Sequence, residues 1–363
     1  MYSSIPQQQQ QQQQMTTTTT TLTASSSTSS ILGEAEVPTT SSLTLNKANK
    51  RKLSSYLEPK YDMSEATREM YEEALAYDQN LELRSEQARL QDPTFIQNCV
   101  LDPMLVAEYE EEIFEHLRKQ ELETLADPNY VSNHTEITWK MRGVLVDWVI
   151  EIHYLFQLLP ETLFLAVNII DRFLSKRVVA LSKLQLVGIA ALFIATKFEE
   201  VSSPRIKDFI WMTDRSLKEE ELMKAERFVV QVLDFKLCYA NPLNFLRRAS
   251  KTEDYDVHSR MLAKYFMEIS CVDHRFISVP PSKVAAASLW LSRRILTKKA
   301  WNDKITKLAG YRAAEIRPVV HLMLDYVSKP VVHDAFFRKW GCKKMMRASV
   351  FVRKWVNEYY KNK

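Results

Sequence analysis

The residues able to do chemistry in this 363-residue chain form charged and apolar constellations at helical spacing, not a catalytic set. Lys197 closes a long apolar run, and Glu226 interrupts a second one, KAERFVVQVL. Alone, a lysine at a helix C-terminus answers the helix dipole, and a glutamate on an amphipathic helix is a solvated edge residue. Met141, Leu145 and Trp148 fall at i, i+4 and i+7, which places them on one helical face. On spacing alone, a Trp and a Leu on one helical face are usually core. Arg260 and Lys264 are i, i+4 on one helix, and Arg247 ends the helix before it. Three cations across a helix corner suit a phosphate, although separate surface charges have the same spacing. Lys47, Lys50, Arg51 and Lys52 form either a nuclear-import patch or a solvated basic cluster.

Assembled catalytic sets are missing. No GxGxxG or GxxxxGK(S/T) pattern occurs, and five widely spaced glycines cannot make one. There is no HExxH and no Cys/His cluster at metal-ligand spacing. Asp208-Phe-Ile is not the Asp-Phe-Gly of a kinase, and Asp273-His-Arg is not its His-Arg-Asp. Glu199 and Glu200 end a helix with no partnering histidine. Cys99, Cys238, Cys271 and Cys342 are scattered without a CxxC pair, which suits reduced thiols of the cytosol or nucleus. The pattern favours a binding protein over an enzyme and calls for no cofactor or metal.

Helices must position these groups. Glycine is about a fifth of ordinary usage, so tight hairpins are few and an all-α chain is favoured. Three helical patterns follow one another from Met141 to Val201. The first carries Met141, Leu145, Trp148, Ile152, Leu155 and Leu159. The second opens on Pro160 and carries Leu163, Val167, Ile170 and Leu174. The third, Ser182 to Phe198, is apolar nearly all round, with Gly188, Ala190, Ala191 and Ala195 thinning its surface. Such a helix is enclosed on every side, and its apolar run falls short of the roughly 20 residues a bilayer span needs. A short helix over Arg205 to Thr213 and a fifth over Leu217 to Phe235, started by a capping box at Ser216, complete a bundle. Asn241-Pro242 marks a boundary. Beyond it the pattern repeats: Ser282-Lys283 opens a second thin-surfaced apolar helix, echoing Ser182-Lys183. The C-terminal tail mixes Trp340, Lys343, Lys344, Arg347, Trp355, Tyr359 and Tyr360, with Met346, Val350 and Val356 as an inner face. That inner face favours packing over nucleic-acid binding. Upstream, Asp102 and Pro103 start a helix with Tyr109, Ile113, Phe114 and Leu117 on its apolar edge, and Glu65 to Arg89 gives a thin-striped polar helix. Residues 1 to about 45 are runs of Gln, Thr and Ser that lack apolar side chains to offset chain ordering, so they stay disordered. No apolar stretch at the N-terminus reads as a secretory signal or membrane span, and an intracellular protein is expected.

The segments MRGVLVDWVIEIH, LPETLFLAVNIIDRFLSKR and KLQLVGIAALFIATKFEEV resemble the cyclin box, specifically that of B-type (mitotic) cyclins of fungal type. The likeness runs from near Tyr109 to the C-terminus. It implies that Lys197 and Glu226 bind the αC helix of a cyclin-dependent kinase, with Phe198 and Phe228 as apolar contributors and with Tyr109 and Ile113 on a preceding helix that meets the kinase. It also implies that Met141, Leu145 and Trp148, with Glu151 and Gln185 nearby, dock Arg-x-Leu motifs, Glu151 facing the arginine. Leu181 departs from relatives that carry a basic residue there. The resemblance further implies a destruction box (Arg-x-x-Leu) or a Lys-Glu-Asn box in the tail. Neither occurs before residue 130, and Arg142-Gly-Val-Leu145 fits only inside the folded box.

The expected architecture is an all-α cyclin fold: two tandem five-helix repeats preceded by an N-terminal helix and a disordered tail. Residues 1–57 form the tail, 58–135 an acidic extension with a helix over about 103–124, 136–240 the first box and 241–363 the second. The expected function is that of a non-catalytic regulatory subunit, activating a cyclin-dependent Ser/Thr kinase at G2/M and docking substrates and inhibitors through Arg-x-Leu motifs. It would reside in nucleus and cytoplasm and bind neither nucleic acid nor membrane. The alternative is a two-repeat helical adaptor resembling transcription factor IIB, which would want a zinc ribbon and a strongly basic groove.

Overall fold

The computed structural model describes residues 107–214, 216–251, 256–297 and 301–361, all within one compact unit. The Gln/Thr/Ser tail, the Lys47–Lys52 cluster, the helix expected over Glu65 to Arg89, and Asp102-Pro103 lie outside the described residues. Among the described residues the regular elements are thirteen α-helices and short 3-10 turns, with no strand.

Helix α1 (Glu110–Glu123) follows a 3-10 turn, Ala107–Tyr109. The first repeat is α2 (Trp139–Leu155), α3 (Pro160–Lys176), α4 (Leu184–Glu199), α5 (Ile206–Met212) and α6 (Glu219–Val232). Local chemistry starts them: the Thr138 hydroxyl accepts the Met141 N–H, and Pro160 takes the first turn of α3, where its missing N–H costs nothing. The expected capping box at Ser216 is displaced by two residues. Ser216 spends its hydroxyl on the Thr213 carbonyl, and α6 is capped at Lys218, whose N–H donates to the Glu221 carboxylate. The helix also ends earlier than expected, at Val232, because Asp234 and Phe235 both turn to positive φ (55° and 56°).

Helix α4 is the axis of this repeat. Gln185 apart, every residue from Leu184 to Thr196 is buried, and α2, α3 and α6 pack around it. Gly188 lets α2 close in: a Cβ there would sit 2.7 Å from Leu145 Cδ1. Counting the 3-10 turn before it, the stretch Leu181–Glu199 is 19 residues and long and apolar enough to cross a membrane by length and composition, which corrects the shorter apolar run read from sequence. Its burial against three helices, 67% over the most apolar window, accounts for that composition as core. Each fully buried aliphatic or Phe side chain here contributes about 1.5–3 kcal/mol.

The second repeat is α7 (Pro242–Ser250), α8 (Val257–Val272), α9 (Pro281–Leu296), α10 (Asp303–Ala309) and α11 (Ala313–Ser328). Asn241 caps α7 through the Leu243 N–H with Pro242 as its first residue, so the boundary dipeptide is a helix start. α9 occupies the place α4 has in the first repeat, enclosed by α7, α8 and α11. Two further helices follow the five, α12 (Asp334–Gly341) and α13 (Ala348–Lys361). Of the tail aromatics, Trp340 is buried beside Tyr265, and Val350, Val352 and Val356 line the inner side of α13. Met346 precedes that helix at positive φ instead of joining its face.

Candidate functional site

The C-terminal end of α4 and the middle of α6 bring together the two charges that sequence left 29 residues apart: Lys197 Nζ and Glu226 Oε1 form an ion pair. The Lys197 ammonium also lies 4.4 Å from the centre of the Phe193 ring. Their side chains stay reachable from solvent, 43% and 19% exposed, so neither is hidden in the core. Leu222, Ala225 and Val229 bury the adjoining stripe of α6 and thereby aim Glu226 along the edge of α4. Glu200 fixes where α4 stops. It accepts the Leu159 N–H at 2.8 Å and the Thr162 hydroxyl, tying the end of α4 to the start of α3. Burial, then the nearby Glu161 and Glu200, push Glu199 above the usual carboxylate range.

The aromatic residues expected on this face divide. Phe198 is 48% exposed beside the pair, whereas Phe228 is half-buried and packs edge-on against Phe173. Phe235 was not singled out by sequence; it is 73% exposed just past α6. Arg172 and Lys176 of α3 hold that turn by donating to the Lys236 and Val232 carbonyls. Only the positive φ of the turn separates an exposed Phe235 from a core one, and periodicity does not report it.

Tyr109 and Ile113 stand exposed on the outer edge of α1, which is anchored to the second repeat. Arg248 bridges Glu110 and Glu111 and lies over the Phe114 ring, which meets Phe245 edge-on. Arg118 donates to the Ala309 carbonyl, and Glu121, 3% exposed, accepts from the Ser282 N–H and hydroxyl. The structure does not bring Tyr109 or Ile113 into contact with Lys197 and Glu226.

Met141, Trp148, Glu151 and Gln185 are half-buried along α2 and the start of α4, joined by Val144, which sequence did not single out. Leu145 differs from the expectation: it is 6% exposed, turned into the crossing of α2 with α4 against Gly188. Glu151 has a partner from far along the chain, with Arg338 Nη2 3.4 Å from its carboxylate. Arg142 of the box-internal Arg-x-x-Leu is fully buried and, with Leu145, inaccessible in the folded chain. Of the three cations nominated for phosphate, Arg247 is exposed but engaged by Glu161 at 3.6 Å and Asn244 at 3.2 Å. Arg260 and Lys264 are half-buried on α8. Among the described residues no group of three His, Cys, Asp or Glu is placed to hold a metal.

Two family models match, the cyclin N-terminal domain over residues 112–238 and the cyclin C-terminal domain over residues 240–354. G2/mitotic-specific cyclin-B of Emericella nidulans is 51% identical over 259 residues, covering 71% of this chain and 54% of that protein. G2/mitotic-specific cyclin cdc13 of Schizosaccharomyces pombe is 51% identical over 257 residues, covering 71% and 53%. The chain thus spans about half the length of these curated relatives. Among solved structures, a viral cyclin from herpesvirus saimiri shares the fold with a TM-score of 0.55 at 19% identity, covering 61% of this chain and 98% of that one. With both halves of the fold matched and fungal B-type, G2/mitotic-specific members as relatives, the chain belongs to the cyclin family.

Proposed function

We propose that this cyclin is the non-catalytic regulatory subunit of a cyclin-dependent Ser/Thr kinase at G2/M, which it activates and supplies with docked substrates. The observation that carries the reading is the Lys197–Glu226 pair, set at the α4–α6 edge and open to solvent, with Phe198 exposed beside it. A kinase transfers phosphate only once the ion pair between its β3 lysine and its αC glutamate is formed. A rigid helical platform that grips αC in the active position binds the active state more tightly, and shifts the equilibrium by that difference in affinity. Lys197 and Glu226 supply donor and acceptor to the αC backbone and side chains, and Phe198 excludes water from the contact. Met141, Val144 and Trp148 form a second, shallower surface for Arg-x-Leu segments, with Glu151 as the carboxylate for the arginine.

Lys197→Ala and Glu226→Ala are each expected to weaken kinase binding by about 2–5 kcal/mol, since truncating one member leaves the other charge unpaired at the interface. Because the two already pair within this chain, the double variant should lose less than the sum. Titration calorimetry with a purified, inactive mitotic kinase reads both effects, and histone phosphorylation by the active complex reads activation. Undiminished affinity in both single variants would remove the assignment.

A further inference from the structure

Glu151 sits where two surfaces meet. Gly143, Asp147 and Glu151 are spaced i, i+4, i+8, and α12 with its leading residue runs along this stripe. His333 lies against Gly143, so closely that a Cβ there would be 2.7 Å from its Nε2. Asp147 accepts the N–H groups of Ala335 and Phe336, and Glu151 receives Arg338. One turn earlier on the adjacent stripe is Trp148, the centre of the proposed docking surface. Glu151 is therefore both the last rung of the α2–α12 seam and the carboxylate offered to a ligand. It is 31% exposed, and Arg338 is 49% exposed.

Arg338 is shared between two carboxylates. Its Nη2 is 3.4 Å from Glu151, while its Nε is 3.0 Å from Asp334, one turn back on α12. An exposed ion pair of this kind is worth little and yields readily. The guanidinium can leave Glu151 without losing its hold on Asp334.

We propose that Arg338 is a resident competitor for Glu151, a built-in guanidinium that an incoming arginine must displace, and so the residue that sets the charge selectivity of the surface. This rests on the reading that Met141, Val144 and Trp148 dock Arg-x-Leu segments. A ligand arginine reproduces the planar, forked donor set that it displaces. A ligand lysine brings a compact, strongly hydrated charge and does not. A ligand with no cation gains nothing from Glu151, because Arg338 remains in place. The free protein thereby keeps Glu151 neutralised and refuses weakly matched sequences.

Fluorescence anisotropy with two labelled peptides, identical except for Arg-x-Leu or Ala-x-Leu, tests this on the full chain. Arg338→Gln should tighten the Arg-x-Leu peptide about three- to fivefold, the scale of one exposed ion pair, and leave the Ala-x-Leu peptide unchanged. The gain should vanish in Arg338→Gln/Glu151→Gln. Asp334→Asn, which removes the alternative seat of Arg338, should shift the Arg-x-Leu peptide the other way, and a general loosening of α12 cannot produce both signs. If Arg338→Gln leaves Arg-x-Leu affinity unchanged or lowers it while Trp148→Ala still abolishes binding, the competitor role is overturned and the docking surface stands. If neither peptide binds the parent chain or Arg338→Gln, or if binding ignores Trp148→Ala, the docking surface itself is wrong and the competitor falls with it.

Discussion

Asp147 shows at the scale of one residue how this fold uses a buried carboxyl group. It is 2% exposed, and its carboxylate accepts the N–H groups of Ala335 at 3.1 Å and Phe336 at 2.9 Å, closing the start of α12. Burial disfavours the anion; the two backbone donors pull the other way, and the nearby Asp334 and Glu151 add repulsion, leaving its pKa pushed up to about 7. An unfolded Asp titrates near 3.9, so between roughly pH 4 and 7 the native state holds a proton that the unfolded chain has released. Stability from this group is therefore complete below pH 4 and is lost as pH rises through 7. Relative to Asp147→Asn, the parent should lose about 1.4 kcal/mol of unfolding free energy per pH unit across that window. Urea unfolding at pH 4.5 and 6.5 measures it. His153 and His333, held by burial at about 3 and about 4, drive the opposite trend, but both are present in parent and variant and cancel. A difference that stays constant with pH would show that Asp147 is ionised throughout.

At the scale of an element, α1 is the clearest case of a helix stabilised by its dock. Fourteen residues are marginal alone, and Tyr109 at its N-cap makes no side-chain capping bond. Its stability comes from Phe114 on Phe245, from Arg118 between the Phe245 and Tyr311 rings, and from Glu121 on the start of α9. Gly310 makes the Arg118 contact possible. It ends α10 at φ 79°, where a side chain is strained, and any Cβ there would collide with the Arg118 guanidinium. Arg118→Ala/Glu121→Gln should raise amide hydrogen exchange over residues 110–123 by more than about tenfold while α4 stays protected, as expected for a local opening. Unchanged protection of α1 would mean that its apolar edge alone suffices. The helix was legible in sequence from Tyr109, Ile113, Phe114 and Leu117, but the stripe did not say that Phe114 turns inward and Tyr109 and Ile113 outward. That division depends on where Arg248 and Phe245 stand.

Across the whole molecule, buried ion pairs fasten each half internally, and Arg142 also reaches from the first repeat to the second. Arg142 makes two 2.7 Å bonds to Asp171 on α3 and a longer one, 3.4 Å, to the Val272 carbonyl at the end of α8. Tyr130 adds a hydrogen bond to Asp171, and Trp139 stacks on His274 with ring centres 4.6 Å apart. Lys339 and Glu268, 5% and 3% exposed, pin α12 to α8. Desolvation opposes the Arg142 cation, but the Asp171 carboxylate outweighs it and holds the guanidinium charged. Such a pair contributes little net stability compared with apolar residues, yet removing one member strands the other. Arg142→Ala should therefore cost about 3–5 kcal/mol, and adding Asp171→Ala should cost less than the two single losses combined. Chemical unfolding monitored by tryptophan fluorescence reads both. A parent-like midpoint for Arg142→Ala would show that the seam is carried by its apolar contacts.

Most of the helices, the doubling of the pattern and the helix that each repeat encloses were legible in the residues alone, whereas the short helices α10 and α12 were not. A 3.6-residue period and the placing of proline, asparagine and glycine are local properties, readable wherever the chain is regular. The resemblance added names for Lys197 and Glu226, whose spacing alone fitted a helix-end cation and a solvated edge equally well. What tertiary structure decided is the fate of each polar side chain. Arg142 matched an Arg-x-x-Leu pattern only inside the expected folded box, Glu151 was expected to face a ligand arginine, and Lys339 carried no reading in the sequence at all. Their partners arrive from 29, 187 and 71 residues away, and whether a buried charge is a penalty or a fastening depends on that arrival, which no local period encodes.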